Sequence, residues 1–305
     1  MFKVLLAAPL DATSEARLEA GAEVVRAPAP DEQTLCRLIG DCDALVARTE
    51  TRVTRTVLSA GRKLRVVGVA GVGLENVDAH AAEELGIAVL NVPAAASDAV
   101  AEFAVALMLQ LLRPVPRLAS AYRGGDFRAA RQTPHGRELR ELTVGIVGMG
   151  RIGSRVGRIC AAGCGARVLY NDIIDVGPLA YPAQAVDKPT IWSQSDIVTL
   201  HVPLTDQTRG LVNAEVLAQF RPTAFLVNTA RGAIVDTGAL TAALQTGRLG
   251  GAALDVTFPE PLPPDDPLFA CDNCILTPHV AARTIGGLQR MFGVVDDVLA
   301  YLQIA

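Results

Sequence analysis

The sequence has no long apolar run and no excess of positive charge, and these two absences exclude several classes of protein. None of its uninterrupted apolar stretches reaches the length of a membrane span. The formal net charge is −4, and the basic residues form no patch of the kind that binds nucleic acid. Residues 1–6 have the pattern of a first β-strand rather than that of a signal peptide. We therefore expect a cytoplasmic protein that binds neither a membrane nor a nucleic acid.

Residues spaced as metal ligands are also missing. The chain has four histidines, and no two of them have the spacing of a ligand pair. One C-x-x-C sequence, from Cys271 to Cys274, lacks the second pair that a zinc site would need. We expect no metal and six reduced thiols, as is usual in the cytosol. The sequence does not indicate a role for Cys271 or Cys274.

Apolar segments of strand length alternate with segments of helical spacing along the whole chain, and its 305 residues are enough for two domains. Strands are predicted at residues 4–8, 44–47, 64–69, 87–92, 142–147, 168–170, 197–201, 224–228, 252–256 and 275–278. Helices are predicted at residues 14–21, 31–39, 54–60, 77–85, 97–112, 213–219, 237–245 and 284–302. This order is typical of an α/β fold with two doubly wound parallel sheets.

Residues 142–153 combine a buried strand with a G-x-G-x-x-G turn at Gly148, Gly150 and Gly153. In such a turn the first glycine allows a sharp bend, the second allows a close approach to a pyrophosphate, and the third lets the next helix pack on the strand. Asp172 follows about 20 residues later, at the end of the next apolar run. Its carboxylate would accept hydrogen bonds from a ribose and would repel a 2′-phosphate. The pattern therefore predicts NAD rather than NADP as the cofactor.

Three polar residues follow predicted strands in the second half of the chain, namely Arg231, Glu260 and His279. Ligands of parallel sheets bind outside the carboxyl ends of the strands, so these side chains could converge on the nicotinamide. An arginine can grip a carboxylate with two hydrogen bonds, and a histidine beside a carboxylate can move a proton near neutral pH. Taken singly, each residue could instead be a turn residue, a solvated loop charge or a core histidine. Together they suit the oxidation of a 2-hydroxy acid or the reduction of a 2-oxo acid.

The chain resembles the NAD-dependent D-isomer specific 2-hydroxyacid dehydrogenases, a family that includes 3-phosphoglycerate, glyoxylate/hydroxypyruvate and D-lactate dehydrogenases. The resemblance extends from residue 46 to the last predicted helix. It is carried by several segments that stand in the order of the family, namely residues 70–78, 142–153, 201–205, 228–236, 251–256 and 277–279.

This resemblance implies a role for each matching residue. The catalytic arginine, glutamate and histidine fall on Arg231, Glu260 and His279. The loop 70–73 would bind the substrate carboxylate through Val72 and Gly73, with Val72 also beside the nicotinamide. The other contacts to NAD would be made by Gly148, Gly150, Arg151, Ile152, Gly153, Asp172, Val202, Thr229, Ala230 and Asp255.

The resemblance also implies a discontinuous domain structure. Residues 1–96 and 284–305 would form a flavodoxin-like substrate domain, and residues 97–283 an inserted Rossmann domain for NAD. A cleft between them would close over the substrate, and a homodimer would form through the NAD domain. The chain departs from the family pattern by one extra residue between Gly153 and Asp172, which would let Asn171 share the ribose contact. Residues 178–194 match the family poorly.

The sequence leaves the substrate open among phosphoglycerate, glycerate, lactate and other acids, as well as the direction of the reaction. Arg48 stands where phosphoglycerate-specific relatives place a phosphate contact, but Val69 stands where some of them have a second arginine. Arg48 could equally be a surface charge at the end of a strand. Formate dehydrogenase is disfavoured because it uses glutamine where this chain has Glu260. A non-catalytic NAD(H)-sensing protein, similar to a corepressor, is an alternative on the same fold.

Overall fold

Two parallel β-sheets, each with its own helices, organise the chain. A computed structural model describes residues 1–132 and 136–304, and its contacts divide the chain into two units. The first unit comprises Met1–Ala96 and Arg283–Ala305, and the second comprises Ser97–Ala282. Residue 283, expected in the second domain, groups with the first unit instead.

The strands and helices succeed one another along both units. The strands are β1 (Phe2–Leu6), β2 (Ala22–Arg26), β3 (Ala44–Arg48), β4 (Val66–Ala70), β5 (Ala88–Asn91), β6 (Thr143–Val147), β7 (Arg167–Asn171), β8 (Gln184–Ala185), β9 (Ile197–Leu200), β10 (Phe225–Asn228), β11 (Gly251–Leu254) and β12 (Cys274–Leu276). The helices are α1 (Ala12–Gly21), α2 (Glu32–Leu38), α3 (Arg55–Ala60), α4 (Ala79–Glu84), α5 (Ser97–Leu112), α6 (Val115–Arg123), α7 (Phe127–Gln132), α8 (Arg151–Arg158), α9 (Lys188–Gln194), α10 (Ala214–Leu217), α11 (Thr237–Gln245), α12 (Ile285–Phe292) and α13 (Val294–Ile304).

The first unit contains a sheet in the order β2-β1-β3-β4-β5, and all of its strand pairs are parallel. This is the flavodoxin-like order, with a reversal between β1 and β3. The inner strand β4 is buried along its whole length, as expected for a parallel strand covered on both faces. Gly68 allows α13 to approach this strand closely, because a Cβ atom there would collide with the side chain of Val298.

The second unit contains a sheet in the order β12-β11-β10-β9-β6-β7-β8, also with parallel pairs throughout. Its strands β8, β7, β6, β9, β10 and β11 stand in the dinucleotide-binding order, with the reversal between β6 and β9, and β12 adds a seventh strand at the edge. The fold class predicted from the sequence, two doubly wound parallel sheets, is therefore confirmed.

Short polar side chains begin most of the helices, which explains why the loops end where they do. In each case a side-chain oxygen accepts a hydrogen bond from a backbone N–H of the first turn, which would otherwise lack a partner. These capping residues are Asp11, Asp31, Thr54, Asp78, Asp187, Asn213, Asp236 and Thr284.

The sequence pattern missed several elements. Strand β2 was not predicted because it begins directly after α1 without a turn residue and carries charged residues at Glu23 and Arg26. Helices α6, α7 and α9 were also missed. Residues 284–302, predicted as one helix, form two, because the helix is interrupted at Gly293.

A wide helical turn lies between the glycine turn and Asp172, in the segment where the resemblance implies one extra residue. Residues Ile159–Gly163, which continue α8, form a π-helix, and Cys164 N donates to Ile159 O five residues earlier. Such a turn is how one additional residue is accommodated in an α-helix. The strand β7 that follows keeps a regular five-residue pairing with β6.

Helix α5, the predicted connector, is a core element of the second unit. More than half of its side chains are buried, and it packs on α8, β10 and β11. Among residues 1–132 and 136–304, no single helix is long and apolar enough to cross a membrane. Helices α5 and α6 meet the length and composition requirement only as a pair, which is bent by 54°.

His201 directly follows β9 and is a histidine of the core. Its ring Nε2 lies 2.9 Å from Oγ1 of the buried Thr199, and its Nδ1 is buried without a hydrogen-bond partner among the described residues. Removal of the ring from water lowers the pKa of His201 to about 3, because burial disfavours the imidazolium. The folded protein therefore holds this ring neutral at any pH at which the unfolded chain would begin to protonate it.

We expect His201 to make the second unit less stable in mild acid. Since the pKa is lower in the folded than in the unfolded state, only the unfolded chain takes up this proton as the pH falls below the ordinary value of 6.5. The free energy of unfolding should fall by up to about 1.5 kcal/mol between pH 6.5 and pH 5 on account of this residue. Denaturant unfolding, followed by the fluorescence of the single tryptophan Trp192, should show a shallower decline in the His201→Gln variant.

The matched control is His80→Gln, which removes an exposed histidine of the first unit and should retain the wild-type decline. An identical pH dependence in wild type and His201→Gln would contradict the burial argument.

Candidate active site

The glycine turn between β6 and α8 has the geometry that its sequence predicts. Gly148 adopts a φ of 92°, and a Cβ atom there would lie 2.5 Å from the carbonyl oxygen of His201. A Cβ at Gly153 would collide with the carbonyl oxygen of Gly148, so this glycine allows α8 to pack directly on the turn. A Cβ at Gly150 would meet nothing within 4 Å. The backbone at Gly148 and Gly153 is therefore packed tightly against other backbone atoms, whereas the space beside Gly150 is open.

This turn fits a dinucleotide. Gly150 precedes the first residue of α8, and no side chain caps that helix. The N-terminal N–H groups and the helix dipole are therefore free to interact with the phosphates of a ligand. Arg151, exposed, and Ile152, half-buried, form the start of the helix, where the resemblance expects the pyrophosphate.

Asp172 is directed at the same turn. Its Oδ2 accepts a hydrogen bond of 2.6 Å from Met149 N, and its Oδ1 accepts one of 3.2 Å from Ile174 N. The carboxylate therefore helps to hold the glycine turn as well as standing where a ribose is expected. The Asn171 side chain instead donates to Val186 O at 2.8 Å, so its amide group ties β7 to the next segment.

The three candidate catalytic residues follow three neighbouring strands. Arg231 follows β10, Glu260 follows β11 and His279 follows β12, and these strands lie side by side in the sheet. Because the strands are parallel, the three loops leave the same edge. The three loops are thus neighbours at the carboxyl ends of one sheet, as the sequence predicts.

The loop of Arg231 is held by a residue that the sequence analysis did not single out. Asn228, fully buried at the end of β10, donates from Nδ2 to Arg231 O at 2.9 Å and accepts from Ala230 N at 3.0 Å. The guanidinium of Arg231 donates to Ala230 O at 2.7 Å. The signal for Asn228 was present, since a lone amide at the end of an apolar strand needs buried partners.

The Arg231 loop packs against the loop that leads to Glu260. A Cβ atom at Gly232 would collide with the carbonyl group of Thr257, so only glycine allows the two loops to approach this closely. Thr237 Oγ1, at the start of α11, donates to Phe258 O at 3.1 Å. These contacts fix the backbone on either side of both residues.

His279 and Glu260 form a direct pair. The ring Nδ1 lies 2.6 Å from Oε1 of Glu260, and about half of each side chain is exposed. His279 has a φ of 53°, in the left-handed region that few residues other than glycine adopt. With Nδ1 engaged by the carboxylate, Nε2 is the ring nitrogen that can exchange a proton with a ligand.

Asp255 organises the loop that carries His279. Its buried carboxylate accepts hydrogen bonds from Thr277 Oγ1 at 2.7 Å, Val280 N at 2.9 Å and Ala281 N at 2.8 Å. The backbone N–H of His279 also donates to Asp255 O at 2.8 Å. The sequence analysis expected Asp255 only as a nicotinamide contact; the structure adds this second task of positioning the histidine, and the nicotinamide contact stays a prediction.

The remaining expected contacts to the cofactor line the same edge. Val202 follows β9 and is half-buried, Thr229 is buried, and Ala230 is half-buried. The hydroxyl oxygen of Thr229 has no hydrogen-bond partner among the described residues. An unpaired buried hydroxyl is unfavourable, so it is a candidate to interact with a ligand.

The loop 70–73 of the first unit is fixed through its carbonyl groups. Asn91 Nδ2 donates to Val72 O at 2.5 Å, and Val92 N donates to Gly71 O at 3.2 Å. Within the described part of the chain, the N–H groups of Val72 and Gly73 have no acceptor. They are therefore available to an anionic ligand.

Arg48, the candidate phosphate contact, is engaged with the protein. Its Nε lies 3.0 Å from Glu50 Oε1, and its guanidinium lies 5.7 Å from the centre of the Phe292 ring. The structure therefore does not present it as an unpaired cation.

The thiols are not arranged for chemistry or for a metal. All six cysteines are free, and burial raises the pKa of Cys160 and of Cys274 to about 12, which disfavours their thiolate forms. Across residues 1–132 and 136–304, no three histidine, cysteine or acidic side chains come together as a metal site would need.

Comparison with known proteins identifies the family. Residues 105–281 match the family model for the NAD binding domain of the D-isomer specific 2-hydroxyacid dehydrogenases. A glyoxylate reductase of Thermofilum pendens is 40% identical over 86% of this chain and 78% of its own length. A D-3-phosphoglycerate dehydrogenase of Methanocaldococcus jannaschii is 39% identical over 93% of this chain, which spans only 54% of that relative.

A solved structure agrees over the whole chain. The D-lactate dehydrogenase of Aquifex aeolicus, crystallised with NAD and lactic acid, is 27% identical and superposes with a TM-score of 0.90, covering 99% of this chain and 95% of that one. The resemblance read from the sequence is confirmed. The chain belongs to the D-isomer specific 2-hydroxyacid dehydrogenases, a family of NAD-dependent oxidoreductases, and carries their NAD-binding domain in its second unit.

Proposed function

We propose that the chain interconverts a D-2-hydroxy acid and the corresponding 2-oxo acid with NAD(H). The observation that carries the proposal is the pair of His279 and Glu260, whose Nδ1 and Oε1 atoms are 2.6 Å apart. A histidine held by a carboxylate can move a proton to or from a hydroxyl near neutral pH. Oxidation of a secondary alcohol needs this proton transfer in addition to the transfer of a hydride.

The cofactor is assigned to the carboxyl edge of the second sheet, whose glycine turn fits a dinucleotide. Gly148, Gly150, Arg151, Ile152 and Gly153 would border the pyrophosphate, Asp172 the ribose, and Val72, Val202, Thr229, Ala230 and Asp255 the nicotinamide side. When bound, NADH supplies a hydride to the carbonyl carbon of the substrate.

Arg231 is assigned to the substrate carboxylate. A guanidinium offers a planar fork of donors that can reach both carboxylate oxygens. The support for this role is the rigid loop around it, held by Asn228 on one side and packed at Gly232 against Thr257 on the other. The N–H groups of Val72 and Gly73 are proposed as additional donors to the same carboxylate.

His279 is proposed to transfer the proton. In the reducing direction its imidazolium form donates from Nε2 to the carbonyl oxygen while Nδ1 stays on Glu260, and a neutral ring results. In the oxidising direction the neutral ring accepts the proton of the hydroxyl group. Reduction should therefore be favoured at lower pH and oxidation at higher pH.

A homodimer formed through the second unit is part of the proposal. Helix α6 has no buried residue, and large apolar side chains are exposed on and near it at Val115, Tyr122 and Phe127. Apolar side chains exposed together favour a protein partner.

The consumption of NADH with a panel of 2-oxo acids tests the function. The panel includes glyoxylate, pyruvate, hydroxypyruvate and its 3-phosphate, and D- and L-2-hydroxy acids test the reverse direction. Turnover of at least one 2-oxo acid, with the D-isomer as the product, is the expected result. Tight binding of NADH without turnover of any acid would favour the non-catalytic NAD(H)-sensing protein.

We expect a preference for NADH over NADPH that depends on Asp172. A carboxylate beside the ribose repels a 2′-phosphate, and removal of its charge should raise kcat/KM for NADPH by about 10-fold or more. Asp172→Asn and Asp172→Ser are compared, because asparagine keeps an acceptor oxygen at the same distance from the backbone for Met149 N, whereas the serine oxygen lies one bond closer to its own backbone. Equal use of both cofactors by the wild-type enzyme would contradict this assignment.

Arg231→Lys should lose activity although the charge is retained. Lysine cannot reproduce a planar fork, so we expect both a higher KM for the 2-oxo acid and a lower kcat. Steady-state kinetics give both constants, and the affinity for NADH, measured by fluorescence titration, controls for the integrity of the cofactor site. Kinetics close to those of the wild type would be incompatible with the proposed grip on the carboxylate.

His279→Ala should bind NADH with wild-type affinity and lose about 10²- to 10⁴-fold in turnover, the range that a positioned general acid contributes. Glu260→Gln should retain part of the activity, but the rate of reduction should decline at a lower pH, because the imidazolium loses its negative partner. Rates measured across pH test both variants. Full turnover by His279→Ala, or an unmoved pH profile in Glu260→Gln, would assign the proton to another group.

A further inference from the structure

The first unit has its own topological switch point, between β1 and β3, where the strand order reverses. Ligands of open parallel sheets bind outside the carboxyl ends of the strands at such a point. Arg48 is the last residue of β3, and its Nη1 lies 3.4 Å from the carbonyl oxygen of Pro9, in the segment after β1. The guanidinium therefore stands across the switch point, and about a fifth of the side chain is exposed there.

This guanidinium already has an anionic partner. Glu50 Oε1 lies 3.0 Å from Arg48 Nε. The backbone that carries the pair is a tight turn closed by Thr51 N, which donates to Arg48 O at 3.0 Å. Asn76 Nδ2 donates to both Arg48 O and Thr51 O, at 3.2 and 2.7 Å. The turn therefore fixes the backbone on which the Arg48 and Glu50 side chains stand.

The pair lies beside the loop 70–73. Arg48 is the register partner of Ala70 in the sheet, so β3 and β4 end together. Thr49 packs on the start of the loop, because a Cβ atom at Gly71 would collide with its methyl group. A substrate held by the N–H groups of Val72 and Gly73 would thus have the Arg48–Glu50 pair as a neighbour.

We propose that Glu50 is a specificity-determining residue that excludes substrates with a second anionic group. This inference rests on the proposed function and names its substrate class, which is unphosphorylated short 2-oxo acids. Glu50 acts in two ways. It competes for the donors of Arg48, and its own charge repels a phosphate that carries between one and two negative charges. The guanidinium of Arg48 and the carboxylate of Glu50 together carry no net charge, so the pair offers little attraction to a phosphate.

The matched substrates are hydroxypyruvate and 3-phosphohydroxypyruvate, which differ only in the phosphate group. The wild-type enzyme should have the higher kcat/KM for hydroxypyruvate. In Glu50→Gln, kcat/KM for the phosphorylated acid should rise by about 10-fold, through a lower KM, since an exposed ion pair and one like-charge contact are each worth a few-fold. The gain should shrink at high ionic strength.

Three control variants test whether the effect comes from the Arg48–Glu50 pair. Glu23→Gln removes the same charge from the same unit by breaking the exposed pair with Lys3, and it should leave the ratio of the two kcat/KM values unchanged. Arg48→Gln combined with Glu50→Gln should abolish the gain, because no cation is left to hold the phosphate. Replacement of Arg48 alone should not raise kcat/KM for the phosphorylated acid.

The outcomes separate the inference from the function on which it rests. An enzyme inactive on every 2-oxo acid would refute the proposed function. The role of Glu50 would be overturned, and the proposed function kept, if the enzyme is active but the ratio of kcat/KM for the phosphorylated acid to kcat/KM for hydroxypyruvate is the same in wild type and Glu50→Gln. A rise of this ratio in Glu23→Gln equal to that in Glu50→Gln would have the same meaning. A wild-type preference for the phosphorylated acid would also overturn it.

Discussion

Parallel strand pairing is the constraint on which the rest of the second unit depends. Because every strand of that sheet runs in the same direction, the segments after β6, β7, β9, β10, β11 and β12 all leave one edge. The glycine turn, Asp172, Val202 and the three candidate catalytic residues occupy these segments in turn. Residues more than a hundred positions apart in the sequence thus gather along one edge, although no covalent or metal link joins them. An antiparallel arrangement would divide them between two opposite edges.

Three buried or partly buried polar side chains fix the positions of the loops along this shared edge. Asn228 holds the Arg231 loop, Asp255 holds the loop of His279, and Asp172 holds the glycine turn. Each of them satisfies backbone groups that have no partner in regular secondary structure. A carboxylate such as that of Asp255 is costly to bury, and three donors offset the cost. Two of these side chains, those of Asp172 and Asp255, are thus proposed to contact the cofactor as well as to hold the backbone of a loop.

The sequence was most informative where a local pattern determines a local structure. The glycine turn, the connector helix Ser97–Leu112 and helix Thr237–Gln245 were predicted to the residue. The first helix has a long apolar body that ends before Arg113-Pro114, and the second is capped by Asp236. The same reasoning missed β2, because its charged residues hide the apolar pattern of a strand. Its strand conformation comes from its pairing with β1. It also missed Asn228 and Glu50, since their roles come from neighbours that only the folded backbone supplies. The candidate catalytic and binding residues could be predicted from the sequence, whereas Asn228 and Glu50, which contact such residues, could not.

Because of the π-helical turn at Ile159–Gly163, the number of residues between the glycine turn and Asp172 does not determine where the Asp172 carboxylate lies. The additional residue bulges within the helix, so strand β7 pairs with β6 in regular register and Asp172 still reaches Met149 N. An insertion in the strand itself would reverse the direction of every following side chain. The end of this helix thus absorbs one residue without moving the hydrogen bond between Asp172 and the glycine turn. In this chain the spacing between the glycine turn and Asp172 is therefore set by the helix, whereas the position of the carboxylate is set by the pairing of β7 with β6.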